Sequence, residues 1–149
     1  MVTTQPIAAS GEVVIEIPMT PDRRLAPNRM YRGNGYHARA ALIAAERQKA
    51  KFLTDYGVSF DEPITDPVTV EVTIHWGKSM KAGKTRARIE QDRRLDWDSA
   101  TALCKPMCDG ALVDTGILND DRQIQWGTVK QEIDATGQGF TIIKIARAG

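Results

Sequence analysis

The amino-acid sequence predicts a single α+β domain, and three observations carry that prediction. Two stretches, near residues 12–19 and 67–75, alternate apolar and polar side chains with period two, as half-buried strands do. Two others, near 37–56 and 99–116, carry helical spacing. Two more strand-like stretches close the chain, so the order reads β-α-β-(basic loop)-α-β-β, which layers helices against a sheet. A length of 149 residues suits one domain spanning 1–149, and 42% apolar with 26% charged residues suffices for a buried core.

Residues 1–10 are expected to be flexible. From Glu12 to Met19, Val13, Ile15 and Ile17 fall on one face of a strand. Pro18, Pro21 and Pro27 then break regular structure and leave a loop carrying Arg23, Arg24, Asn28, Arg29, Tyr31 and Arg32. Between His37 and Tyr56, Ala40, Ile43, Ala44 and Phe52 can share a helix face, and Gly57 supplies the stop. Pro67 opens the second strand, where Val68, Val70, Val72 and Ile74 alternate with Thr69, Glu71, Thr73 and His75. The second helix starts near Ser99, a capping residue, and ends near Gly116. Pro106 either kinks it or opens a new helix as its first residue. The last strands, about Gln123–Ile133 and Phe140–Ala146, are joined through Gly137 and Gly139, which signals a hairpin.

Several function classes are excluded at this level. No apolar run approaches the roughly 18 residues that span a bilayer, and MVTTQPIAAS lacks the basic and hydrophobic regions of a secretory signal. Cys104 and Cys108 are too few for a disulfide scaffold or a four-thiolate zinc site, and a reducing cytoplasm fits them. Their spacing with Ala111 and Leu112 places them in a helix core. His37 and His75 are too isolated for a zinc pair or a nucleophilic triad, and no phosphate-cradling glycine motif is present. Trp76 and Trp126 read as packing residues; Trp97, between two acids, either packs or serves as a wedge at a DNA branch point.

The formal net charge of +1 hides an asymmetry. Residues 1–94 carry 15 basic and 11 acidic groups, whereas residues 95–149 carry 5 basic and 8 acidic ones. The densest basic piece holds Lys78, Lys81, Lys84, Arg86, Arg88, Arg93 and Arg94 against only Glu90 and Asp92. Such a run is either a solvated loop or an arm that tracks phosphates.

The acidic part is concentrated in two pairs. Asp96 and Asp98 are two apart, and Asp120 and Asp121 follow after the intervening helix. Any one of these aspartates read alone is a solvated turn or capping residue. Together, brought side by side by a helix that leaves and returns along the sheet, they would repel unless a cation lay between them. A few hard oxygen donors suit Mg²⁺ or Mn²⁺, which can polarise a phosphoryl oxygen and activate water. An EF-hand is excluded, because Thr101 stands where its glycine belongs and no glutamate closes the loop. In a continuous helix Asp98, Lys105 and Asp109 fall on nearly one face. Lys105 is then either an ordinary i, i+4 partner of Asp109 or a cation held against the carboxylates, neutralising them or stabilising charge on phosphate.

The string Asp96-x-Asp98-Ser99…Lys105-x3-Asp109-Gly-x-Leu…Gly116-Ile117-x2-Asp120-Asp121-x-Gln123 resembles the RusA family of Holliday-junction resolvases. The early Pro27-Asn28-Arg29-x-Tyr31-Arg32 is similar to that family's first loop, so the resemblance runs through nearly the whole chain. Ser99 stands where the family has asparagine, and the Asp98-to-Lys105 stretch is three residues longer than in its commonest version. The resemblance implies a mixed sheet with two main helices. It also implies a homodimeric, Mg²⁺-dependent endodeoxyribonuclease, with Mn²⁺ as a substitute, that nicks four-way DNA junctions in pairs. It places Asp96, Asp98 and Asp121 on the essential carboxylates and Lys105 on the essential lysine. Asp120 joins them as a further metal ligand or support, with Ser99 and Asp109 behind. Arg23, Arg24, Arg29, Arg32 and the basic run from Lys78 to Arg94 become the phosphate contacts. Two rival readings stand beside it: a non-catalytic protein that binds branched DNA, and a metal-dependent nuclease for other branched nucleic acids. Cleavage of a labelled junction separates the first, and a substrate panel the second.

Overall fold

The computed structural model describes residues 3–5, 12–22, 25, 35–55, 63–77, 97–133 and 138–147. Strands β1 (Thr3–Gln5), β2 (Glu12–Ile17), β3 (Val68–Trp76), β4 (Ile124–Ile133) and β5 (Phe140–Arg147) form one mixed sheet in the order β1-β2-β5-β3-β4. Helix α1 (Gly35–Asp55) separates β2 from β3, and helix α2 (Trp97–Cys108) separates β3 from β4. The α+β class and the two main helices therefore stand as expected. No described helix is long and apolar enough to cross a membrane.

The period-two pattern dictates the sheet's buried face. Val13, Ile15 and Ile17, then Val68, Val70, Val72 and Ile74, then Ile143 and Ile145 are at most 1% exposed. Every second residue on these strands turns to one side, so a single apolar face collects beneath the helices. Ala100, Leu103, Cys104, Met107, Cys108, Ala111 and Leu112 close the core from the helical side.

Three expectations are corrected. Residues 3–5, within the stretch 1–10 read as lacking regular structure, form strand β1, which pairs antiparallel with β2, Thr4 opposite Ile15. The closing strands are not a hairpin. β4 pairs parallel with β3, while β5 inserts between β2 and β3 and runs antiparallel to both. Composition explains the choice. β5 has isoleucines at 142, 143 and 145 and fits a central position, whereas β4 exposes Gln125, Thr128, Lys130 and Glu132 and fits an edge. A Cβ on Gly139 would come within 2.6 Å of the Thr20 side chain and 3.3 Å of the Gly77 backbone nitrogen. That glycine lets the chain pass between the ends of β2 and β3 rather than turn back on β4.

The third correction concerns α1. Ala40, Ala44 and Phe52 are exposed, Phe52 by 69%. The buried line is instead Glu46, Ala50 and Thr54, with Leu42, Ile43 and Leu53 packed against the core. Alanines occur all round this helix, so apolarity alone selects no face. Polar tertiary partners select it: the Glu46 carboxylate accepts a hydrogen bond from the Asp22 backbone at 2.9 Å, and Arg47 reaches Asp114.

Candidate functional site

The site is built on the return journey from β3 to β4. Parallel neighbours require a crossover, and α2 provides it. The helix continues through Pro106 to Cys108, so no new helix opens at that proline. Proline offers no N–H to the turn before it. Three residues later the winding widens into a π segment, Asp109–Asp114, a local form that recurs at functional positions. Its end is closed by Thr115 Oγ1 donating to the Ala111 carbonyl at 2.7 Å and by the Leu118 N–H donating to Leu112 at 2.8 Å.

The chain then enters a tight acidic turn. Asp120 caps a single 3₁₀ turn, Asp121–Gln123, with its Oδ1 accepting from the Arg122 N–H at 2.9 Å. Asp120 Oδ2 accepts from the Arg122 guanidinium at 2.7 and 3.0 Å. These hydrogen bonds, the side-chain one first, hold the Asp120 carboxyl well below the usual carboxylate range. Gln123 completes a capping box and does more than cap. Its Oε1 accepts from the N–H groups of Asn119 and Asp120, while its Nε2 donates to the carbonyls of Ile64 and Asp66. One side chain thus pins the turn to the segment that enters β3.

This pinning sets Asp121 beside α2. Lys105 Nζ lies 3.1 Å from Asp109 Oδ2 and 3.2 Å from Asp121 Oδ2. The two readings of Lys105 are therefore one arrangement: it is an i, i+4 partner of Asp109 and also a cation held against an acid 16 residues away. Burial pulls the Lys105 ammonium toward losing its proton, but the two carboxylates outweigh that and raise its pKa. Asp109 is 7% exposed, and its Oδ1 is buried without a hydrogen-bond partner among the described residues. Behind it Arg47 grips Asp114 with two bonds, Nε to Oδ2 at 2.9 Å and Nη2 to Oδ1 at 2.6 Å. Arg47 also feels the charges of Asp109 and Asp121, and Lys51 acts on Asp114, so Arg47, Lys51, Lys105 and the three acids form one electrostatic cluster.

The structure brings together Lys105, Asp109 and Asp121. Asp98 and Ser99 lie in the first turns of α2, and Asp98 precedes Lys105 by nearly two turns on the same face; their side chains, like that of Trp97, lie outside the described residues. Asp96, Arg23, Arg24, Arg29, Arg32, Lys78, Lys81, Lys84, Arg86, Arg88, Arg93 and Arg94 lie outside them altogether. Asp120 is beside Asp121, with its oxygens engaged by Arg122. Among the described residues no three His, Cys, Asp or Glu side chains are grouped to hold a metal ion.

Cys104 and Cys108 are core residues, as their spacing predicts. Burial, helped by nearby Glu46, pushes the Cys104 thiol up to about 12, and burial raises Cys108 as well, so both stay protonated and neither offers a thiolate. His75 stacks on Phe140 with ring centroids 4.2 Å apart. Trp76 is buried and donates to Gln131 at 3.1 Å, and Trp126 packs against the core.

Sequence reasoning missed two contributors. Gln123 has no role in the sequence reading, although a glutamine three residues after Asp120 is the signal of a capping box. The Arg47–Asp114 pair joins residues 67 positions apart and leaves no local signal. Arg47 holds the Asp114 carboxyl below its ordinary range. A carboxyl with a lowered folded-state pKa contributes its stability at neutral pH and loses it as pH falls through that lowered value. Arg47→Met is therefore expected to cost about 1 kcal/mol or less at neutral pH for this part-exposed pair. It should also flatten the acid limb of stability from about pH 5 downward, where the Asp114 carboxyl takes up its proton. Thermal melts across that range test this, and superimposable acid limbs for both proteins would refute it. No protein-family model matches this chain, and no curated protein sequence matches it either.

Proposed function

We propose that this protein is a Mg²⁺-dependent endodeoxyribonuclease of the RusA type that resolves four-way DNA junctions by paired nicks. The observation that supports the reading best is Lys105 joined to both Asp109 and Asp121. It sets Asp121 against the helix whose first turn carries Asp98, as a metal site shared by the two acidic pairs would require. The donors fit a hard divalent cation. The assigned ligands are carboxylates, Asp121 is half-exposed and so within reach of a hydrated ion, and the thiols stay protonated.

Asp96, Asp98 and Asp121 would hold the ion, and Asp120, tied to Arg122, would shape the turn that presents Asp121. When bound, the ion supplies Lewis-acid polarisation of the scissile phosphate and lowers the pKa of water. The chain's own contribution is placement and charge. Gln123 fixes the acidic turn, and Asp109 orients Lys105 so that its ammonium can meet negative charge growing on the phosphate. The overall step is hydrolysis: an oxygen of water bonds to phosphorus, the P–O3′ bond breaks, and the departing 3′ oxygen takes up a proton. Arg23, Arg24, Arg29, Arg32 and the basic run 78–94 would hold phosphates without reading bases. A two-fold dimer would set two such sites on opposed strands, as paired nicking requires.

The test is incubation of the protein with end-labelled four-way junction and with linear duplex, with and without Mg²⁺. Paired nicks in the junction alone, and only with Mg²⁺, are expected. Junction binding without nicks would favour a non-catalytic branched-DNA protein, and equal cutting of linear duplex would remove the junction assignment.

A further inference from the structure

The two carboxylates that share Lys105 differ in depth, and that difference gives the lysine a direction. The distances are nearly equal, 3.1 and 3.2 Å, yet the Asp109 side chain is 9% exposed and that of Asp121 is 48% exposed. Water and salt weaken the exposed pair far more than the buried one. Asp109 also depends on Lys105 more completely. Its Oδ2 accepts from the ammonium, and its Oδ1 has no partner among the described residues, so without Lys105 neither oxygen would keep a bond to them. Asp121 would merely return to solvent. Lys105 therefore cannot leave Asp109 cheaply, but it can leave Asp121.

We propose that Lys105 is a resident counter-charge: anchored on buried Asp109, it neutralises Asp121 in the metal-free protein and yields that carboxylate to a divalent cation. This rests on the metal-dependent reading above and adds to it a control of when the site loads. Lys105 competes with the cation for Asp121, so cation binding carries the cost of breaking one ion pair. Once the cation holds Asp121, Lys105 stays fixed by Asp109 with its outer side released toward incoming phosphate. Asp109 is then a positioning residue, acting through Lys105.

The test uses Mn²⁺ alone, without DNA, and the full chain at fixed ionic strength, with free Mn²⁺ read by electron paramagnetic resonance. Lys105→Gln is expected to bind Mn²⁺ about fivefold more tightly than the parent, the upper end for a half-exposed ion pair. Lys105→Gln leaves Asp109 buried without its cation and can fail to fold. The same substitution is therefore also made in an Asp109→Asn background, where no buried charge is stranded, and it should again tighten binding relative to Asp109→Asn alone. If the parent binds Mn²⁺ and removing Lys105 leaves affinity equal or weaker in the folded pair, the counter-charge role falls while the nuclease reading survives. If no form of the chain binds Mn²⁺, the metal-dependent reading falls and takes this role with it.

Discussion

Replacing Asp121 with asparagine is expected to reduce Mg²⁺-dependent junction cleavage by more than about 100-fold, since losing even an outer partner of a metal site costs roughly 10- to 100-fold. Junction binding should be nearly unchanged, because on the proposed reading the phosphate contacts are basic residues elsewhere in the chain. Asp98→Ala should behave in the same way, from the other acidic pair. The informative contrast is Asp120→Asn. Asp120 and Asp121 are neighbours of identical chemistry, but the fold uses them differently. Both Asp120 oxygens are taken by Arg122 and the turn, whereas Asp121 faces Lys105. Asp120→Asn should therefore loosen the turn and keep much of the cleavage. Single-turnover assays on a labelled junction, with binding measured in parallel without Mg²⁺, decide the matter. Cleavage by Asp121→Asn within a few-fold of the parent would sink the assignment of that residue.

Gly110→Ala is expected to be the most damaging single methyl group in the described fold. A Cβ at position 110 would overlap the Arg47 carbonyl oxygen and come within 2.8 Å of the Arg47 Cα and carbonyl carbon. Those are backbone atoms in the middle of α1 and cannot swing aside as a side chain can. The π segment would have to move off α1, which opens the core at Ala111 and Leu112 and pulls Asp114 from Arg47. The expected cost is about 3 kcal/mol or more, a fall of roughly 6–12 °C in Tm for a chain of this size. Gly116→Ala is the matched control. Gly116 has φ +84 and open space around it, so alanine there meets only backbone strain of about 1–2 kcal/mol. Equal melting temperatures for the two variants would show that the α1–π contact is not as tight as the geometry states.

The two positions also show where reading a sequence succeeds and where it stops. Strands β2 and β3 were legible residue by residue, because a half-buried strand must alternate and Val13, Ile15, Ile17, Val68, Val70, Val72 and Ile74 do so without a break. The burial of Cys104 and Cys108 on α2, and of Ala111 and Leu112 in the π segment after it, was legible from their helical spacing. The buried face of α1 was not legible, since alanine tolerates either side and the side chains that decide it, Glu46 and Arg47, are polar. Gly110 read as part of a recognised string, yet nothing local to it reveals the backbone it touches.

By itself, the sequence determined the α+β class, the position of four of the five strands and both helices, the burial of the two cysteines, and the set of acids and one lysine worth testing. These follow from period, composition and spacing, which are properties of neighbouring residues. Only the tertiary structure decided that β5 lies between β2 and β3, that β1 completes the sheet, and that Asp109 is buried while Asp121 is wet. It alone decided that a single ammonium spans them. Those outcomes depend on which surfaces compete for the same partner across 16 to 122 positions of chain, as Lys105 with Asp121 and Thr141 with Met19 do. Such competition is settled by burial and packing, which no local pattern encodes.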